Sequence, residues 1–596
     1  MRSFKKVIQK TKSYINIKTY KRPLVYVITL MVLLNILILA IASFIALSID
    51  DSFSNFFDAF FNGSLKWMLT PNAILSITNP KLLTLAVIIL VIGLILFSGT
   101  IIALTTNAIK DYFQTKKDNS GKITLDEHIV IINWNSKVPE LVSDLLYLEM
   151  KALTIMIVSM CDKHQAESLI LNALKKEQRQ KKLANLNVLV KQADPLIISN
   201  LTDVSIDKAK AIIIMNNEKS NDLHVIKNVL SLGPLHFMYQ PPIVVEIKEQ
   251  ESEQKLYTLS KVVKDLEEHL ILPVCFDQRL GQIIAQTMIE ERLESIYLSL
   301  FSFEGSEVYK IKNVTFDDVL NTHTHAIPVM TYKNDTFAIS LNQDTAQLSS
   351  TKKNTPIQEL TLKPFKSFED MDVYIIGSNN KQSFISEAFK HYELLTSSHF
   401  TVSFYDHNKL DEMIVDLNKN ERKAKILLLS DENKEFQELD NDIIESLIYL
   451  ETHLKRKDIS VIVEILNPKH SQIIQGFRIK HTIISNKIIS LLLSKLAFEA
   501  EAAHFYQELL TIDQNNEGVD LQSISIVHAK DLVKEALPIS FTSIKSLIAS
   551  IYQSSQKTFI PIGHFVNHKL TIFEGDLTSL SFNLTNEMDI ILMRVA

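Results

Sequence analysis

A chain of 596 residues, 46% hydrophobic and with a formal net charge of −6, has room for several domains and lacks the basic excess that marks a nucleic-acid binder. Its two cysteines, Cys161 and Cys275, exclude a disulfide framework and a Cys-x-x-Cys metal site. Only 12 glycines occur in the whole chain, so phosphate-binding loops have few candidates.

Residues 1–23 form a basic N-terminal segment. From Leu24 to Ile49 the chain is uncharged and reads VITLMVLLNILILAIASFIAL over most of its length; a second apolar run covers Leu82 to Ile109. Each is about 26–28 residues, or roughly 40 Å of helix, enough to cross the ~30 Å hydrocarbon core with some tilt. Arg2, Lys5, Lys6, Lys10, Lys12, Lys18, Lys21 and Arg22 precede the first run, and Lys110, Lys116, Lys117 and Lys122 follow the second. By the positive-inside rule both termini are expected in the cytoplasm and the connecting loop outside, a multi-pass protein of the plasma membrane whose first run is too long for a signal peptide. The expected membrane unit is 24–110.

Its loop, 51–81, carries Phe53, Phe56, Phe57, Phe60 and Phe61 at helical spacing, with Ser52 or Ser54 as candidate caps and Pro71 as the stop after Leu69. Two readings stay open. The stretch is either a re-entrant pore helix, tolerated in a membrane where it lines a protein-walled cavity, or an external linker with an interfacial helix. On the first reading the pore or filter residues are Leu69, Thr70, Pro71, Asn72 and Ala73, and helix C-terminal carbonyls there favour a cation. No TVGYG-type filter is present and no acid lies between Leu69 and Pro80, which argues against ordinary potassium selectivity and a strong calcium preference. In the second run Gly93 and Gly99, with Ser98 beside the latter, are the candidate gating hinge.

Residues 111–127 are polar and read as a linker. Beyond them short apolar runs alternate with helical patterns, as in parallel α/β sheets: HIVIIN at His128–Asn133, LTIMIV at Leu153–Val158, AIIIM at Ala211–Met215 and IVVEI at Ile243–Ile247. The same order returns as VYIIG at Val373–Gly377, TVSFYD at Thr401–Asp406, AKILLL at Ala424–Leu429 and SVIVEI at Ser460–Ile465. Apolar helices follow in both halves, so the body is an internal repeat: a first lobe at 128–365 and a second at 366–596. From Asp162 to Ala211 the chain advances 49 positions, against 19 from Asp406 to Lys425, so the second lobe is expected to be trimmed. The expected fold is therefore a membrane α-helical two-span pore unit plus α/β, with tandem doubly wound parallel-sheet, Rossmann-like domains.

Trp134-Asn135-Ser136-Lys137, Asp194-Pro195-Leu196, Ala209–Met215, Ser485–Ser490 and Gln507–Leu510, in this order behind two spans, resemble the CASTOR/POLLUX-type cation channels and their bacterial relatives with tandem RCK domains. The resemblance implies a ligand-gated channel for monovalent or divalent cations, potassium and calcium among them. It also implies a homotetramer embedded in the lipid bilayer, in which two lobes per chain make a ring of eight. RCK ligands are nucleotides or divalent cations.

Rossmann-type sites lie beyond the carboxyl ends of the strands, with a glycine-rich turn and an acid for ribose. The first lobe offers Asn133, Trp134, Asn135, Ser136 and Lys137, with Asp162 after the second strand; relatives carry glycine where Asn133 stands. The second offers Gly377, Ser378 and Asn379, with Asp406. Scarce glycine disfavours a nucleotide, and the expected ligand is Ca²⁺, held by strand-end acids Glu218, Asp431 and Glu432 added across lobes or chains. His323 and His325 are expected at the surface. No nucleophile–base pairing and no HExxH spacing occurs, so an enzyme is not expected. The rival to a channel is a membrane-anchored nucleotide or ion sensor that does not conduct, or a regulatory subunit of a cation transporter.

Overall fold

The computed structural model describes residues 23–95, 102, 105, 106, 109, 122–148, 152–178, 185–217, 221–263, 269–303, 305–349, 355–364, 369–395, 398–419, 421–431, 438, 440–467, 470–474, 476–477, 481–510 and 524–595. They fall into two compact units, divided between Gly121 and Lys122.

In the N-terminal unit, helix α1 spans Pro23–Ile49, and Val32–Ile49 is long and apolar enough to cross a membrane. The chain then turns into a helix at Phe56–Asp58, which widens to a π-helix over Ala59–Leu65 and ends at Leu69. Its cap is Asn55, whose side chain accepts from the Asp58 amide at 2.9 Å; Ser54 instead donates to Asp58, so neither serine caps it. Pro71 opens a 3-10 turn, Pro71–Ser76, and Asn79 caps helix α2, Pro80–Gly93. The loop helix turns Ala59, Gly63, Ser64 and Trp67 inward onto Leu39, Ala42, Leu82 and Ala86, and leaves Phe57 and Phe61 exposed. Of the expected phenylalanine face, Phe53 and Phe60 pack partly buried against the same cluster, and the small residues allow the closer approach of the helix. Asn79 donates to Asp50 at 3.4 Å and ties the start of α2 to the end of α1. The remainder of the second apolar run lies largely outside the described residues.

The second unit holds two doubly wound lobes. In the first, strands β1 (His128–Ile132), β2 (Ala152–Ser159), β3 (Asn185–Gln192), β4 (Ala209–Ile214), β5 (Ile243–Ile247) and β6 (Ile271–Cys275) form a parallel sheet of order 3-2-1-4-5-6. Helix α3 (Val138–Asp144) follows β1, and α4 (Phe276–Ile289) and α5 (Leu293–Phe301) follow β6. A small tail lobe comes next, with β7 (Glu307–Ile311), β8 (Ile327–Tyr332) and β9 (Asp335–Ser340).

The second lobe repeats the plan. Strands β10 (Met371–Ile376), β11 (Phe400–Tyr405), β12 (Ala424–Leu428), β13 (Ser460–Ile465) and β14 (His481–Ile484) take the order 11-10-12-13-14, with no counterpart of β3 among the described residues. Helix α6 (Lys381–Leu395) follows β10, and α7 (Ser485–Phe498) and α8 (Ala503–Leu510) follow β14. A four-stranded antiparallel tail closes the chain.

Continuous Ile/Val/Leu runs make these strands because each sheet is covered on both faces. The inner faces, with Ile129, Ile131 and Ile155 in one lobe and Val373, Ile375 and Leu427 in the other, share a single core with α3, α4, α6 and α7. The seam obeys a local two-fold relation. Where α4 crosses α6, a Cβ on Gly281 would stand 2.7 Å from the Phe384 Cβ and 3.2 Å from the Lys381 carbonyl. Where α7 crosses α3, Ser490, at the place of Gly281, donates to the Lys137 carbonyl at 2.9 Å.

Candidate functional site

The two strand-to-helix turns carry the same polar constellation. In the first lobe Asn133 ends β1 with φ +70°, and its side chain donates to the Met215 carbonyl at 3.0 Å. Gly377 has φ +97° at the corresponding place, and a Cβ there would lie 2.4 Å from the Leu429 carbonyl. Asparagine tolerates this left-handed region better than most residues, so it performs the turn that glycine makes in the second lobe.

Two residues on, Asn135 donates to Glu246 at 2.7 Å and to the Asn216 carbonyl at 2.9 Å. The Lys137 ammonium meets the other Glu246 oxygen at 3.0 Å, over the Phe276 ring. In the second lobe Asn379 donates to Glu464 at 3.1 Å and to the Ser430 carbonyl at 3.0 Å, and Lys381 meets Glu464 at 3.1 Å. Ser485, at the place of Phe276, adds a hydrogen bond to Glu464. Beneath each plug lies a second carboxylate. Asp222 accepts from the amides of Lys248 and Glu249 and from Asn216; Asp440 accepts from the amides of Leu466 and Asn467, from Ser430 and from His470. Both Lys–Glu pairs are buried, and the hydrogen bonds around them offset part of the desolvation cost. The polar atoms of Asn135 and Lys137 are thus directed into the lobe and onto Glu246.

The middle residue of each turn reaches across the seam. Ser136 accepts from Asn486 at 3.1 Å, and Asn380 donates to Asp277 at 3.2 Å. Burial raises the Asp277 carboxyl above the usual range, against the pull of Lys381 and Lys137.

The other expected site residues are dispersed. Trp134 packs half-buried on the core. Asp162 is exposed and caps the helix Lys163–Gln178 through the Gln165 amide at 2.8 Å. Ser378 and Asp406 are exposed, and the Asp406 carbonyl accepts from the Lys409 amide. Asp431 is half-buried; Glu218 and Glu432 lie outside the described residues, as do Ser98 and Gly99. Among the described residues no group of three or more His, Cys, Asp or Glu is placed to hold a metal ion. Leu69, Thr70, Pro71 and Asn72 are exposed at the end of the loop helix, with Ala73 half-buried. Gly93 packs against Met68, where a Cβ would fall 2.5 Å from the methionine Cγ. His323, expected at the surface, is buried: its carbonyl accepts from the buried Lys545 ammonium.

Sequence reasoning missed Glu246 and Glu464, although the repeat contains the signal. Asn-x-Lys recurs at both turns, and a glutamate recurs inside both late strands, IVVEI and SVIVEI.

No family model matches the chain. Among solved structures the GsuK channel overlaps 96% of the chain and 97% of its own, at 12% identity and a TM-score of 0.40, as does a GsuK channel bound to NAD over 98% of that protein; so loose a superposition carries no argument. In sequence, the chain is 24% identical over 260 residues to the probable ion channel CASTOR of Oryza sativa subsp. japonica, covering 42% of the chain and 27% of that protein. It is 24% identical over 251 residues to the ion channel DMI1 of Medicago truncatula, covering 40% of the chain and 26% of that protein. The ion channel CASTOR of Lotus japonicus is 25% identical over 246 residues, covering 40% and 27%. The matched segment spans about a quarter of the length of these relatives, which are named as channels and not as enzymes. In sequence the chain is similar to ion channels of the CASTOR/POLLUX type.

Proposed function

We propose that the chain is a ligand-gated cation channel of the plasma membrane, assembled as a homotetramer with both termini in the cytoplasm. The observation that carries this reading is the N-terminal hairpin. Between α1 and α2 a helix returns, packs its small-residue face inward and stops at Thr70, where exposed polar groups follow a helix C-terminus. A helix end of that kind presents partial negative charge to a cation. Two spans cannot enclose a pore alone, so several chains are required, and the tandem lobes supply the ring that moves them. The sequence similarity to named ion channels supports the same reading.

For the ligand, the internal Lys–Glu plugs use up the groups that would otherwise meet a phosphate, so the proposal favours a divalent cation, Ca²⁺ first, with Asp431 and Glu432 among its ligands. Full-length protein in planar bilayers is expected to carry cation current that changes with substitutions at Thr70 or Asn72. Verified, folded tetramers that leave the bilayer sealed overturn the channel reading in favour of a sensor. Calorimetry with CaCl₂ tests the ligand: heat that weakens in Asp431→Ala/Glu432→Ala supports it, and tight ATP or NAD binding without calcium heat overturns it.

A further inference from the structure

A cleft of about 360 Å³ opens between α3, α5 and α7. Its walls carry Glu140 and Asp144 from α3, Ser299 and Ser302 from the end of α5, and Lys487 from α7. Asp144 is 6% exposed; the Phe303 amide donates to its carboxyl, but its Oδ2 atom has no hydrogen-bond partner among the described residues. A buried carboxylate oxygen without a donor is costly, and few survive without a reason. The C-terminal end of α5 adds its partial negative charge to the same wall.

The duplication supplies a control. Counting from the paired lysines Lys137 and Lys381, Glu140 corresponds to Phe384 and Asp144 to Ala388. At that corresponding place Phe384 closes on Gly281 and the seam is filled. At this position one copy of the seam is apolar and closely packed, while the other is acidic and open. Two carboxylates one helical turn apart are not demanded by the fold, since the second lobe folds with neither.

We infer that this cleft binds a small organic cation bearing a single ammonium group, with Asp144 as its counter-ion and the serine hydroxyls as further acceptors. The cleft is of small-molecule size and far larger than a bare metal ion needs. Two carboxylates beside a lysine fall short of the oxygen set that calcium takes. An ammonium supplies the donor that Asp144 Oδ2 lacks. Burial holds the Asp144 carboxyl well above its ordinary range; Lys495 and Lys487 on α7 oppose this, Glu307 on β7 reinforces it, and Glu140 and Tyr147 also face the cleft. Burial thus favours the protonated form of the empty site, and an incoming ammonium displaces that proton to solvent.

The test is calorimetry on the full-length protein with ethanolamine hydrochloride, run in two buffers of different ionisation enthalpy, with KCl and CaCl₂ as competing probes. Saturable ethanolamine binding that releases about one proton, and that weakens roughly tenfold or more in Asp144→Asn with loss of the proton release, supports the site. Asp144→Ala, which copies the second lobe, should not lower the melting temperature and should lose the binding. No ethanolamine heat, heat unchanged in both variants, or preferential calcium binding at Asp144 overturns it. The outcome does not depend on whether the N-terminal unit conducts.

Discussion

The Lys381 ammonium lies 3.1 Å from Glu464 Oε1 with both side chains wholly out of solvent, and Lys137 repeats the contact on Glu246 at 3.0 Å. A crevice that in doubly wound sheets receives a ligand is here closed by the chain's own charges.

Removing one partner of such a pair leaves a buried, uncompensated charge. Glu464→Ala is expected to cost about 3–5 kcal/mol, whereas Lys381→Met/Glu464→Leu should fall much closer to the parent protein. Denaturant unfolding followed by the fluorescence of Trp134, one of two tryptophans, measures both. A single variant costing under about 1 kcal/mol would show that the pair is far better solvated than its burial indicates.

Asn133 is held at φ +70° and bonded to the Met215 carbonyl. Asn133→Gly should change stability by no more than about 1 kcal/mol. Asn133→Val should lose about 2 kcal/mol or more, from left-handed strain and the missing hydrogen bond. Neither variant should gain NAD or ATP binding, because Asn135 and Lys137 stay on Glu246; a nucleotide titration of Asn133→Gly checks this.

Gly93 leaves no room for a methyl against Met68. Gly93→Ala should destabilise the N-terminal unit by about 1–3 kcal/mol through overpacking, and Met68→Ala should recover part of the loss in the double variant. Thermal unfolding in detergent, read through the buried Trp67 next to Met68, reports the effect. An unchanged midpoint would favour a hinge over a packing role for this glycine.

Burial raises the Asp144 carboxyl well above 3.8, so the folded chain keeps a proton that the unfolded chain releases near pH 4. Above that pH the unfolded state binds fewer protons, and stability falls as pH rises toward the folded value. One such group contributes a slope of up to about 1.4 kcal/mol per pH unit. In Asp144→Asn that component should vanish, so the stability–pH profile from pH 4 upward becomes flatter. A profile parallel to the parent's would refute it.

How much of this was legible in the sequence depended on range. Strand runs such as HIVII and VYIIG announce buried parallel sheet by local composition, and their repetition announces two doubly wound lobes. The plug was not legible as a contact, because Lys137 and Glu246 are distant in sequence and only the sheet order brings β1 and β5 to either side of β4. Missing glycine at Asn133 read as a defective phosphate loop, whereas backbone geometry shows asparagine making the same turn. The five phenylalanines of the loop obeyed helical spacing, yet only Phe53 and Phe60 of them pack on the core cluster, while Ala59, Gly63 and Ser64 are buried. His323 looked like a surface residue in NTHTH, and is buried where Lys545 gathers the carbonyls of Val319, His323 and Ala326.

The crossing of α4 over α6 also decides which surfaces can mate. Gly281 admits Phe384, and the residue that replaces Phe384 in the first lobe is Glu140. A first lobe pairing with another first lobe would press a carboxylate into that dry contact and strand it there, a penalty that unlike lobes escape. The seam is therefore heterophilic. Covalent linkage keeps the correct mate at high local concentration, and the glutamate repels the wrong one, so correct pairing withstands dilution and crowding by identical chains.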